Sequence, residues 1–405
     1  MTPLGGGGGV IGSASEAIRK RYLFVILRIS ITFATNLFIS YDMKNLQLCM
    51  LLFFAASAAT AQTAFEWSVG ALGFADNREY KSAYQNDQTM FGIRLAPEVG
   101  IGFGDHHHLR TGVNVLKEFG RGMNEHDVDY VAYYYYDKRP FSFYFGSFPR
   151  SYAVGDFPAA FFQDSLTYYE PNINGLVWRY EKPRGNASLF LSWDSRQSIA
   201  QREIFTAGSA GMLRKSVVYG KYQYAYRHYD LRSVSWEEER IHDNGLLHAA
   251  VGADLTAKTR LDTLYINAGY LVGHERRRTV GKWRAPQGLL VEAQADWRGV
   301  GIKNTLYAGE GLMVFYKTPY NEGNLYSGDP YYQSTLYNRT DLYIDFITSA
   351  WANARFDWSF HYDGRWLSSQ QQFILIINVD GRQSAAVSRR QTIADKIYQR
   401  LTTND

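Results

Sequence analysis

Between residues 288 and 311 the chain alternates with a two-residue period, turns, and alternates back. Leu289, Val291, Ala293, Ala295 and Trp297 fall on one side of an extended chain, and Leu290, Glu292, Gln294, Asp296 and Arg298 on the other. Successive strand side chains point to opposite faces, so one face is apolar and the other largely charged. Arg298-Gly299 supplies a tight turn. Val300, Ile302, Leu306 and Ala308 then return against Lys303, Thr305, Tyr307 and Gly309, with Asn304 out of place in the apolar set. A hairpin of this kind either covers a soluble core or forms two staves of a barrel with lipid outside and water within.

The rest of the chain decides between these. Strand-like alternation covers 64–74, 91–103, 109–118, 128–136, 141–145, 174–182, 187–193, 201–213, 218–227, 247–255, 264–272, 341–348, 356–362 and 373–379, giving sixteen strands with the hairpin. The connections alternate in length. Short turns at 104–108, 137–140 and 182–185 interleave with longer loops such as 119–127, 148–173 and 312–340. Outer-membrane barrels have an even strand number, short periplasmic turns and longer outer loops, and sixteen strands enclose an aqueous channel. Aromatics make up 16% of the chain, and Tyr130, Tyr136, Trp178, Tyr180, Trp193, Trp297, Trp358 and Tyr362 cluster toward strand ends, as interfacial girdles require. A soluble sandwich or propeller explains the alternation but not the two-phase loop lengths or the apolar face on nearly every strand. The reading is an all-β transmembrane antiparallel barrel of about sixteen strands, closed because lipid tolerates no unpaired backbone.

Met43-Lys44, an apolar run from Leu46 to Ala56, and Ala59-Thr60-Ala61 before Gln62 read as a signal peptide over 43–61. Residues 1–42 read as an upstream, non-native extension, 62–379 as the barrel, and 380–405 as a polar tail. An inner-membrane anchor at 22–39 is the competing reading for the upstream stretch. The single Cys49 excludes an internal disulfide, and a net charge of +4 is too small to argue for nucleic acid.

Signal peptide, Gln62 at the mature start, sixteen alternating strands and long aromatic loops together resemble the outer-membrane porin-like barrels of Bacteroidota-type bacteria. The resemblance is architectural, running from Met43 to about Val379. It implies a third loop folded into the channel and a homotrimer, with outer-membrane lipid and lipopolysaccharide as surroundings. Such barrels usually end on an aromatic residue, whereas here Ile377-Asn378-Val379 closes the last strand.

The third loop, 148–173, holds Phe157, Phe161 and Phe162, which water would not support on an exposed segment; folding inward would bury them. Asp156, Asp164 and Glu170 would then line a constriction with those rings. The lumen wall would present Arg94, Arg110, Arg179, Lys221, Arg227, Arg298, Lys303 and Arg355 with Glu98, Asp254, Glu292, Asp296, Asp345 and Asp357. Opposed charges across a pore order water and favour polar solutes. The bland alternative packs the loop on the rim or on a neighbouring protomer. Tyr316, Tyr320, Tyr326, Tyr331 and Tyr332 in the seventh loop are candidates for guiding sugars, or simply for loop packing.

His106-His107-His108 alternate faces and cannot converge on one ion. Glu237-Glu238-Glu239 reads as a solvated face. Ser359 and His361 share a polar strand face near Asp357, which chance would also produce, so the sequence reads as no enzyme and needs no cofactor. The expected function is an outer-membrane porin passing small hydrophilic solutes by diffusion, with a saccharide preference as a sub-hypothesis. The alternative is a structural or adhesive barrel with partner-binding loops, and a hydrolase built on Ser359 and His361 comes third.

Overall fold

A computed structural model describes residues 63–152, 157–234, 240–278, 281–316 and 327–381. The stretches read as an upstream extension and a signal peptide, and nearly all of the stretch read as a polar tail, therefore lie outside the described residues, as do Asp156, Tyr320, Tyr326 and Glu237–Glu239.

The sixteen strands form one closed antiparallel barrel, each paired to its neighbours in sequence, with the first and last strands sealing it. They are β1 (Thr63–Glu79), β2 (Gln88–Phe103), β3 (His107–Glu118), β4 (Val128–Lys138), β5 (Phe141–Pro149), β6 (Asn172–Lys182), β7 (Gly185–Ser195) and β8 (Ile204–Lys215). Then come β9 (Val218–Tyr229), β10 (His242–Asp254), β11 (Thr263–Arg277), β12 (Gln287–Trp297), β13 (Val300–Gly309), β14 (Leu336–Thr348), β15 (Ala352–Tyr362) and β16 (Leu367–Asp380). At the seam Ser68 pairs with Asp380 and Glu79 with Ser369, so β16 is fully engaged despite its non-aromatic end.

The founding hairpin is present in the expected register, with Trp297 opposite Val300 and Leu289 opposite Ala308. Its turn places Arg298 at φ 52° and Gly299 at φ 81°. Two consecutive positive φ values are what a two-residue turn between right-twisted strands demands. Asp262 accepts a hydrogen bond from the Arg298 backbone N–H and offsets part of the strain of the non-glycine residue there. Gly299→Ala should lower barrel stability by about 1 kcal/mol, read as an earlier urea midpoint for refolding into detergent micelles.

Several strands are longer at the long-loop end than alternation suggests. β16 begins with Leu367-Ser368-Ser369-Gln370-Gln371-Gln372, where both faces are polar and no hydrophobic period is visible. On β14, Asn338 and Thr340 face outward beside Asn304 of β13. Asn304 Nδ2 donates to Thr340 Oγ1 at 2.8 Å, and Asn338 Nδ2 donates to Asn304 Oδ1 at 3.2 Å. The misplaced Asn304 therefore sits on the lipid-facing wall with its polar atoms bonded to its neighbours.

Inside, loops fill the long-loop half of the lumen. Phe161 and Ala160 from the third loop, Tyr80 from the first, and Leu312, Met313, Tyr331 and Tyr332 from the seventh are buried against Leu246, Leu271, Leu290, Tyr307 and Tyr337 of the wall. Phe157 and Phe162 also pack on a second cluster around Tyr133, Tyr144, Phe148 and Phe190 on the opposite side. Tyr168 stacks flat on Phe74 of β1 with ring centroids 4.2 Å apart. Each such ring contributes roughly 1.5–3 kcal/mol by leaving water, which offsets the order imposed on the loops.

Candidate active site

Apart from Arg298, the residues expected to line a lumen lie on the strand faces opposite the exposed apolar set. Lys221 Nζ on β9 lies 2.9 Å from Glu292 on β12, a contact between non-adjacent strands that must cross the interior. Arg110 lies 3.6 Å from Glu98 and 3.2 Å from Glu66, Arg227 3.7 Å from Asp194, Arg355 2.6 Å from Asp345, and Asp254 2.8 Å from Arg214. Arg179 donates to the Tyr152 carbonyl at 2.9 Å, and Tyr343 OH donates to Asp296 at 3.0 Å. Arg94 and Glu98 are buried, and Lys303 and Asp357 turn inward half-buried. Arg298 is a correction: it is exposed in the periplasmic turn, its guanidinium 4.8 Å from the Trp297 ring, because the turn takes it off the strand.

In the third loop Asp164 reaches the wall and pairs with Arg339 at 2.8 Å. Burial alone would push the Asp164 carboxyl up, but the Arg339 guanidinium outweighs it and holds it below its ordinary value. Glu170 stays exposed, 3.5 Å from Arg150, and does not enter the lumen; Tyr168 does instead. Tyr331 and Tyr332 are buried and cannot meet a passing sugar. Tyr331 lies nearly parallel to Tyr337 and His361, with each ring centroid 5.1 Å from its own. Tyr316 lies in a short turn of helix over Val314–Tyr316.

Ser359 and His361 are not assembled for catalysis. Ser359 Oγ donates to Asp341 at 2.5 Å, while the two ring nitrogens of His361 meet Tyr337 OH at 2.8 Å and Gln370 Oε1 at 3.1 Å. Both residues are only 1% exposed beneath the plug. In the histidine run, His107 bonds Tyr134 OH and His108 bonds Glu66, each through Nδ1.

A different constellation stands on the outer wall. In the register of β9, β10 and β11, His228 is opposite Asp243 and Asp243 opposite Arg276, while Tyr226, Gly245 and His274 form the next row. The same parity carries Tyr222, Ala249 and Tyr270, which face lipid. His228, Asp243, His274 and Arg276 therefore also point outward. Ten residues separate His228 from the foot of β9. At about 3.4 Å each and a tilt near 40° this is roughly 25 Å, the height of a barrel's apolar band. The cluster thus sits at its long-loop edge.

Asp243 is the hub and is 1% exposed. It accepts from His228 Nδ1 at 2.8 Å, Tyr226 OH at 2.8 Å, Arg276 at 3.0 Å and Arg278 at 2.7 Å. The carboxylate fixes the His228 proton on Nδ1 and leaves the Nε2 lone pair available as a base. Asp230 is 4.0 Å from Nε2, outside hydrogen-bond reach. His274 stacks on Tyr226 and Tyr224, and Arg276 lies 4.6 Å over the exposed Trp283 ring. A base oriented by an acid, beside two partly exposed guanidinium groups, is equipment for hydrolysing an anionic ester at the membrane surface.

The family model for lipid A 3'-O-deacylase-type proteins matches residues 57–382. The chain belongs to that family. The expectation of no enzyme is thereby overturned, since the family is defined by an enzymatic activity. The protein is a sixteen-stranded barrel of the bacterial outer membrane. No curated protein matches the chain. Among solved structures, the loop-deleted OmpT of Vibrio cholerae aligns over 78% of this chain and 99% of its own at 10% identity and a TM-score of 0.48. An anion-selective porin from Comamonas acidovorans aligns over 79% and 99% at 11% identity and 0.46, and OprD of Pseudomonas aeruginosa over 80% and 96% at 7% and 0.41.

Sequence reasoning missed the outer-wall cluster by ending β9 at 227 and starting β10 at 247. The available signal was parity: His228 continues the lipid-facing series Tyr222, Tyr224, Tyr226, and Asp243 continues Val251, Ala249, Leu247.

Proposed function

We propose that this protein hydrolyses an ester-linked acyl chain of lipid A at the outer surface of its barrel. The observation that carries the reading is the His228–Asp243 pair on the lipid-facing wall, at the long-loop end, in a chain of a deacylase-type family. In the proposed reaction His228 Nε2 takes a proton from water as the water oxygen attacks the ester carbonyl. The tetrahedral intermediate collapses, and the same imidazolium protonates the departing sugar oxygen. The products are a free fatty acid and a sugar hydroxyl. Asp243 stays ionised and stabilises the imidazolium. Arg276 and Arg278 attract the phosphorylated headgroup and the oxyanion. Purified protein in detergent should release fatty acid from lipid A, detected by mass spectrometry. Micelles carrying the protein but releasing none would overturn the reading.

A second reading, passive diffusion of small hydrophilic solutes, draws on the charged lumen wall exemplified by Lys221 and Glu292. The buried plug in the long-loop half weighs against free passage in this conformation.

A further inference from the structure

Below the His228–Asp243 cluster and on the same face, the lipid-facing wall from β7 to β12 is hollowed into an apolar groove of about 780 Å³. Its floor is made of residues with little or no side chain: Ala187, Gly211, Gly220, Ala249 and Ala268, flanked by the rings of Tyr222 and Tyr270. The register aligns Tyr222, Ala249 and Tyr270 in one row and Gly220, Val251 and Ala268 in the next, toward the periplasm. Elsewhere on the wall the outward positions hold larger side chains, such as Leu189, Ile266 and Ile302, all at least 44% exposed.

We infer that this groove seats the distal part of the acyl chain that His228 is placed to release, and that its depth sets the longest chain accepted. The inference rests on the deacylase reading. Two independent features fix the occupant. The groove is apolar and continuous with the wall below a cationic, base-bearing cluster, so the ligand that satisfies both is an amphiphile with an anionic head and a hydrocarbon tail. The spacing also suits one acyl chain. Ala249 lies six residues from Asp243, roughly 20 Å along an extended strand, about the reach of an extended fatty acyl group. Its ester end then lies at His228 and its methyl end over Ala249 and Gly220.

The positions tolerate filling. A Cβ at Gly220 would meet nothing closer than 3.9 Å, and Ala249 and Ala268 already face outward. The test is native mass spectrometry of the full chain in detergent, carrying His228→Asn so that bound lipid is not consumed. It is offered a mixture of lipid A species with shorter and longer acyl chains. Adding Gly220→Leu with Ala249→Phe should shift the retained population toward shorter chains. The shift comes from steric exclusion by the new side chains, since an excluded methylene passes into detergent and not into water, and it is read as a change in the ratio of shorter to longer species. Ala268→Phe should move it the same way. An unchanged chain-length distribution in both variants overturns the groove, as does loss of all lengths equally while the barrel keeps its heat-resistant migration. Fatty-acid release by the wild-type chain is read separately. No release with a groove-dependent retention profile would sink the hydrolytic reading and leave the groove standing.

Discussion

His228→Asn is expected to lower fatty-acid release from lipid A by about 10²- to 10⁴-fold, the usual contribution of a positioned general base. Asparagine keeps a hydrogen-bonding group toward Asp243, so the Tyr226, Arg276 and Arg278 contacts to that carboxylate survive. The barrel should fold and migrate as before. Asp243→Asn should lose nearly as much for a different reason: an amide can present N–H to His228 Nδ1 and turn the lone pair away from the substrate, while also leaving two guanidinium groups without their anion. A structural role alone would lower barrel stability together with the rate, whereas loss of a general base lowers kcat in His228→Asn while KM and barrel stability hold. His361→Ala is the control, since its ring nitrogens are held by Tyr337 and Gln370 inside the plug, and its removal should leave the rate intact.

Arg339→Ala should loosen the plug by about 3 kcal/mol, near the lower end for breaking a buried ion pair. Arg339 pairs with Asp164 of the third loop and with Asp341 of its own strand at 2.7 Å, so its loss strands two carboxylates. Asp341 is the more deeply buried of the two. Asp164 remains 38% exposed, and water can hydrate it, which keeps the figure low. The expected readouts are cleavage of the third loop by added protease and stepwise conductance in planar bilayers where the wild type is quiet. Unchanged protection would show that the rings alone hold the loop. Acid should mimic the variant. A carboxyl held below its ordinary value contributes stability that is fully present above its unfolded value and is lost as pH falls through its folded one. Plug opening is therefore expected on the acid side only.

Strand number, pairing order and the inward turn of the third loop were legible because each follows from a two-residue period or from rings that water would reject. Leu289 and Leu290 separate correctly into lipid and interior on period alone. What the period could not give was the length of strands whose two faces are both polar, as at Ser368–Gln372. Nor could it show that the tyrosines of the seventh loop are buried, because Tyr331 and Tyr332 read equally well as girdle or surface residues. The candidate active site was hidden by an assumption about chemistry. Ionisable residues are expected on the water-facing side of each strand, whereas His228 and Asp243 occupy the lipid-facing parity. Partners in different strands, separated by a loop, leave no local motif.

The plug joins residues 157–166 to residues 329–337, more than 160 positions apart in the chain. Its aromatic contacts cannot form until the strands between them are in place, and pairings so distant in sequence form late. A newly inserted barrel therefore passes through a stage with walls complete and interior wet. The Asp164–Arg339 pair, which joins loop to wall across the same sequence distance, is expected to form in that late step.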